Sequence, residues 1–208
     1  SYNFLNLTAT CRIEVPAGNG LNEHTYAADG RKLRTVHPHD SDTVTTDYVN
    51  NVIYENGNLK RILVDGGYWE NGKYHFYLTD HLGNNRVVAD QDGNVIQRNH
   101  YYPFGMSFAE NTEAEHDVQP YQYNGKEIDR KLGLNLYDYS ARYMDPALGR
   151  FTTVDPLAEK YYSISPYVYV GNNPMSNIDM RGDTISTVVT SMTTDADGNS
   201  VAVNTRYV

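Results

Sequence analysis

The chain has 208 residues, a formal net charge of −9 and a single cysteine, which is length for one or two domains and no basis for a disulfide framework. Its basic residues are scattered, so neither nucleic acid nor an anionic membrane finds the basic face it needs. No apolar run approaches the roughly 18 residues that cross a bilayer. The chain opens on Ser1 without an initiator Met, basic n-region or apolar h-region, and so reads as an excerpt of a longer protein whose leader is left open.

The composition is unusual in its 19 Tyr against 5 Phe and 1 Trp. Tyr favours strands and joins an apolar ring to a wettable hydroxyl. With Gly punctuation and little Leu or Ala, this predicts an all-β fold, with tyrosine ladders across neighbouring strands supplying much of the cohesion.

In chain order, Cys11 reads as a small apolar core residue. The stretch Thr25-Tyr-Ala-Ala-Asp-Gly-Arg31 is the first hairpin unit, and His37-Pro-His39-Asp40 reads as a solvated loop, since two histidines without further ligands rarely hold a metal. Strand-like runs follow at 51–54, 73–78 and 86–89. The sequences Asn56-Gly57, Asn71-Gly72, Leu82-Gly-Asn84, Asp92-Gly93 and Asn124-Gly125 mark tight reversals, because Asn, Asp and Gly accept positive φ. Residues 109–119, polar and acidic, predict an exposed loop. Ser140–Met144 is one helical turn or a strand. Asp155-Pro156 resembles an N-cap followed by Pro at the first helical position. Residues 183–208 form a Thr-rich tail. Asp90-Gln-Asp-Gly-Asn94 and Asp195-Ala-Asp-Gly-Asn199 lack the closing Glu of a calcium loop and read as turns. No cofactor or metal site is expected. The division is 1–72 as hairpins, 73–182 as a denser core and 183–208 as tail or linker.

Several ordered motifs are specific. YLTDHLGNNRVVADQDGNVIQRNHYYPFG (77–105), YNGKE (123–127), GLNLYDYSARYMDPALGRFTTVDP (133–156) and SPYVYVGNNPMSNID (165–179) resemble the conserved core of Rhs (rearrangement hot spot) repeat proteins, and TYAADGRKL (25–33) looks like one of their tyrosine-aspartate repeats. The resemblance implies serial antiparallel hairpins winding a hollow shell around a downstream cytotoxic domain, with the associated core closing one end. It implies a secreted or cell-surface bacterial protein. The implied partners are its own downstream toxin domain and a secretion or delivery component, with no nucleic acid and no membrane span in this segment.

In several members the core is also an aspartic self-protease. The resemblance carries that motif onto Arg142, Asp155 and Asp179. Such chemistry uses one carboxylate to take a proton from water and one carboxyl to protonate the departing amine. The bland alternative is Asp155 as a turn residue and Arg142 paired with Asp145. The family's Asp-Pro-x-Gly-Leu cut site reads here Asp179-Met180-Arg181-Gly182-Asp183, which places the homologous bond at Asp183–Thr184. Met180 in place of Pro relaxes the backbone, and Asp183 in place of Leu adds a third carboxylate, so self-cleavage is left open. Arg181-Gly182-Asp183 is also the familiar adhesive tripeptide, which three residues produce by chance. A non-catalytic surface or adhesion module binding glycans or neighbouring cells is the alternative function. The remaining tail is too short for this segment itself to be the toxic enzyme.

Overall fold

The computed structural model describes residues 1–15, 18–39, 42–108, 118–194 and 200–207. Asp40, most of the acidic 109–119 stretch and the 195–199 turn lie outside them. The described residues are nearly all antiparallel β, with four 3-10 turns and no α-helix among them.

Ten strands form one meander in strict chain order: β1 (Thr10–Val15), β2 (Gly18–Tyr26), β3 (Lys32–His39), β4 (Asp42–Val49), β5 (Val52–Glu55), β6 (Asn58–Val64), β7 (Gly67–Glu70), β8 (Lys73–Thr79), β9 (Asn85–Asp90) and β10 (Val95–Arg98). The sheet runs through residues 72 and 73 without a break, because β7 pairs β8 across the Asn71-Gly72 turn. Asn56 and Asn71, at φ +50 and +51, precede Gly57 and Gly72, at φ +77 and +81. Two successive positive φ values give the turn whose twist matches the strands. Asp80 and Asp90 shape the next two reversals in the same way. Each accepts the amides two and four residues on and the side-chain amide of the Asn at the fourth position, Asn84 or Asn94. The calcium-like 90–94 sequence is thus a self-capped turn.

The remaining strands build two small sheets. One holds β11 (Glu127–Asp129), β12 (Leu136–Asp138), β13 (Tyr143–Asp145) and β14 (Arg150–Phe151); the other holds β15 (Asn177–Asp179), β16 (Ile185–Thr194) and β17 (Ser200–Tyr207). Residues 140–144 therefore resolve as a bend entering a strand, and 158–160 as a 3-10 turn. The Thr-rich tail is a hairpin, and its first strand continues from β15 in the pairs Asn177↔Thr187, Ile178↔Ser186 and Asp179↔Ile185.

The apolar core lies in the second half of the chain. Tyr123, Ile128, Tyr137, Tyr139, Met144, Phe151, Tyr169 and Val170 form one buried cluster, flanked by Tyr101 and Phe104. Tyrosine cohesion is thus concentrated in an aromatic nest; the tyrosine ring contacts of the described wall are the scattered Tyr68–His75, Tyr68–Tyr77 and His24–Tyr26 pairs. The covered face of the meander mixes apolar Ile53, Tyr68 and Val88 with polar Asn22, His24, Thr35, Arg61 and Gln97, whereas Val64, Tyr74, Phe76, Leu78 and Val95 stand exposed on the other. Register puts Val64, Gly67, Phe76, Ala89 and Val95 in one row across five strands. Cys11 is only partly covered rather than a core residue, and burial raises its thiol pKa.

Candidate functional site

Arg142, Asp155 and Asp179 come from three separate segments and meet. Arg142 enters on the bend before β13, where its carbonyl accepts the Tyr139 amide. Asp155 follows β14 and shapes its own turn, with Oδ1 accepting the Leu157 amide at 2.7 Å; the 3-10 turn begins only at Ala158 with Leu157 at its N-cap, so Asp155 is not the helix N-cap that Asp-Pro suggested. Asp179 ends β15. Arg142 and Asp179 are 3% and 1% exposed; Asp155 keeps a small opening to solvent. Arg142 Nη2 lies 2.9 Å from Asp155 Oδ2 and 3.7 Å from Asp179 Oδ2. Its guanidinium also covers the Phe151 ring and gives Nη1 to the Pro166 carbonyl at 3.1 Å. Asp145, the surface partner considered for Arg142, instead caps the amides of Ala147 and Leu148.

The two carboxylates share one cation, Arg142. Burial raises the Asp179 pKa, against opposing hydrogen bonds from the Arg181, Gly182 and Thr184 amides and the charge of Arg142. Burial likewise lowers the Arg142 pKa, while Asp155 and Asp179 pull it back. The result is a buried carboxyl with raised proton affinity beside a carboxylate that reaches water.

The five residues 180–184 form the tip of the β15–β16 hairpin, and the site holds them closely. Asp179 Oδ1 accepts the amides of Arg181, Gly182 and Asp183 at 3.0, 2.6 and 3.2 Å. Lys126 Nζ donates to the Met180 carbonyl at 2.6 Å, the Ala141 amide to the Arg181 carbonyl at 3.0 Å, and Arg142 Nε to the Gly182 carbonyl. Gly182 is buried at φ +84, and a Cβ there would lie 3.0 Å from the Arg142 nitrogen and 3.1 Å from Tyr139 Cβ. Only glycine fits this backbone without strain. The Arg-Gly-Asp tripeptide is accordingly part of a fastened loop, its central residue held at both N–H and C=O.

A second polar centre joins the wall to the small sheet around a cavity of about 850 Å³. Lys32 Nζ is bound by Asp138 Oδ2 at 2.7 Å and Glu127 Oε2 at 2.9 Å, and the Tyr48 hydroxyl donates to Glu127 at 2.8 Å. His37 Nε2 lies 3.0 Å from Asp129 Oδ2, which Asn22 also reaches at 3.3 Å. The His37 segment is therefore strand β3, not a solvated loop, and His37 itself is an interface residue. His81 contacts the Met175 carbonyl at 3.2 Å, a structural role. Sequence reasoning missed Lys32, Asp138, Lys126 and Gly182 as site residues. All four lay in recognised motifs, but Lys32 and Asp138 sit in different ones, 106 positions apart, and nothing in either motif names the other as its partner.

The family model described as the teneurin YD-shell matches residues 52–175, more than half of the chain. The chain belongs to the YD-shell family. This places it among Rhs/YD-repeat shells, as its motifs imply. The tRNA3(Ser)-specific nuclease WapA of Bacillus spizizenii is 30% identical over 183 residues, covering 86% of the chain and 7% of that protein. Salivary gland surface protein 1 of Aedes aegypti is 40% identical over 126 residues, covering 59% of the chain and 4% of that protein. A structure of the Photorhabdus luminescens Tc holotoxin pore superposes with a TM-score of 0.69 at 19% identity, over 98% of the chain and 11% of the solved one. That last likeness concerns the fold. The YD-shell segment described here spans a small fraction of each of these longer proteins.

Proposed function

We propose that this YD-shell segment is the closing end of a β-shell that encloses the chain following it, and that Arg142, Asp155 and Asp179 sever that chain from the shell. Residues 1–72 serve as wall, 73–182 as closing core, and the segment from 183 leads to the enclosed region. The reading extends to secretion, an enclosed cytotoxic domain as intramolecular partner, and assembly with a delivery component, as in the toxins whose fold it shares.

One observation carries the proteolytic part: Arg142 and Asp179 bind the backbone of 181–183 within their own chain, and Asp155, which reaches water, is held by the same guanidinium. Asp155 takes a proton from water, Arg142 polarises a carbonyl, and Asp179 returns a proton to the departing nitrogen. Because scissile bond and catalyst share one fold, orientation is built in. After a cut, the β15–β16 pairing still holds the severed segment. The open apolar row on the meander supports the shell reading, since an exposed patch of this kind is an interaction surface.

The test is expression of the chain followed by a folded domain after Val208. A fragment released near residue 182, absent in Asp155→Asn and Asp179→Asn, supports the reading. An intact wild type refutes the protease while leaving the shell role standing. The second reading, a non-catalytic surface module binding glycans or neighbouring cells, is favoured by the 40% identity to a salivary gland surface protein. It predicts a persistently intact chain that binds cells or immobilised glycans.

A further inference from the structure

We infer that the bond this site is built to hydrolyse is Gly182–Asp183, one bond before the Asp183–Thr184 register that the motif gives. The inference rests on the self-cleavage reading above and specifies its substrate.

Hydrolysis needs an electrophile on the carbonyl oxygen of one residue and a proton source at the nitrogen of the next. Arg142 Nε donates to the Gly182 carbonyl. The N–H of the same peptide bond, that of Asp183, donates to Asp179 Oδ1 at 3.2 Å, which keeps this carboxyl against the nitrogen that takes up a proton once the carbonyl has been attacked. Asp179 does not decide the register alone, because its Oδ1 also accepts the amides of Arg181 and Gly182. The carbonyl end decides, since the guanidinium grips the oxygen of Gly182.

The water-activating group is correctly placed for the same bond. Nε and Nη2 project from one edge of the planar guanidinium, the edge that binds two oxygens side by side. Nε holds the Gly182 oxygen and Nη2 holds Asp155 Oδ2. Asp155 therefore stands beside the carbonyl to be attacked. Gly182 has no side chain to shield that carbonyl, while the preceding carbonyls of Met180 and Arg181 are fixed by Lys126 and the Ala141 amide. The loop is fastened up to this bond.

The balance is that of simple hydrolysis. A water oxygen bonds to the Gly182 carbonyl carbon and its proton passes to Asp155. The carbon–nitrogen bond to Asp183 breaks, and a proton from Asp179 goes to that nitrogen. The products are a carboxylic acid at Gly182 and an amine at Asp183, with Asp155 left protonated and Asp179 ionised; the new acid then gives its proton to the amine. Asp183 then contributes its side chain to the leaving side, which gives a reason why Leu is not required there.

The decisive experiment is intact-mass analysis and N-terminal sequencing of the fragments from the full-length wild-type protein. A downstream fragment beginning at Asp183, with an upstream fragment ending at Gly182, is the expected result. A downstream fragment beginning at Thr184 overturns the register and leaves the self-cleavage reading intact. No fragment from the folded wild type overturns both. Asp183→Leu supplies a second measurement, because restoring the family residue should leave the cut after Gly182; a shift to the bond after residue 183 counts against the inference.

Discussion

Arg142 lies over the Phe151 ring, its guanidinium carbon 3.6 Å from the ring centroid, so the charge that serves two carboxylates is seated on the aromatic nest. This links cation placement directly to core packing. Arg142→Lys keeps the charge and loses the planar fork that spans Asp155 and the Gly182 carbonyl. We expect no cleavage and a destabilisation of about 1–3 kcal/mol from buried acceptors that lose their guanidinium donors. Urea denaturation of the variant measures the second effect; a loss within experimental error would show that Arg142 is not anchored as described.

In the proposed reaction Asp179 has a proton role beside the positioning of the loop, and two substitutions separate them. Asp179→Asn retains an Oδ1 acceptor for the three amides, so the loop should persist while cleavage stops. Asp179→Ala removes the acceptor, and three inward amides lose their partner at about 1–3 kcal/mol each when buried. The sign of the pH effect follows from the raised pKa. A carboxyl with a raised folded pKa contributes stability that is present at low pH and lost as pH rises through that pKa. Relative to wild type, Asp179→Asn should therefore gain stability toward neutral pH, which paired melts at acid and neutral pH will show.

Gly182→Ala tests the close approach. The left-handed backbone costs about 1–2 kcal/mol for a residue with a Cβ, and the methyl would press on Tyr139 and Arg142. A loop displaced by about 1 Å should slow cleavage about a hundredfold. Single-turnover appearance of fragment measures it.

Acid should loosen the core from the wall. Burial raises the pKa of Asp129 and Asp138, but His37 and Lys32 outweigh it and hold both carboxyls below their ordinary value. A depressed folded pKa gives stability that is present above about pH 4, the ordinary carboxylate value. That stability is lost as pH falls through the folded values. Thermal melts from pH 7 downward should fall steeply in that range. Asp129→Asn and Asp138→Asn should start less stable and show a flatter acid limb; an unchanged limb in both would count against this interface as the acid-sensitive element.

Asn124 should prove the costliest polar residue of the core. Its Oδ1 accepts the hydroxyls of Tyr139 and Tyr169 at 2.8 and 2.6 Å, and its Nδ2 donates to the Leu82 carbonyl at 2.9 Å. Asn124→Ala removes this acceptor from both hydroxyls, which keep only their mutual contact at 3.0 Å, and this donor from the Leu82 carbonyl, at about 1–3 kcal/mol for each group left unpaired. Tyr169→Phe removes one donor only, for about 1 kcal/mol. Comparable losses in the two variants would contradict this ranking, which denaturant midpoints can test.

The sequence by itself determined the turns and the class. Asn-Gly and Asp-Gly place positive φ locally, so Asn71-Gly72 reverses the chain whatever surrounds it. Ordered motifs likewise named Arg142, Asp155 and Asp179, since residue type and order are properties of the chain. Tertiary structure decided what those motifs face. It put Lys32 against Asp138, moved tyrosine cohesion into the nest around Tyr169, and turned the apolar side of β8 outward. It also set Arg142 on the Gly182 carbonyl rather than on the next one. These outcomes depend on burial and on contacts between residues far apart in sequence, where desolvation and packing outweigh local preference, and no local pattern encodes which distant partner will be there.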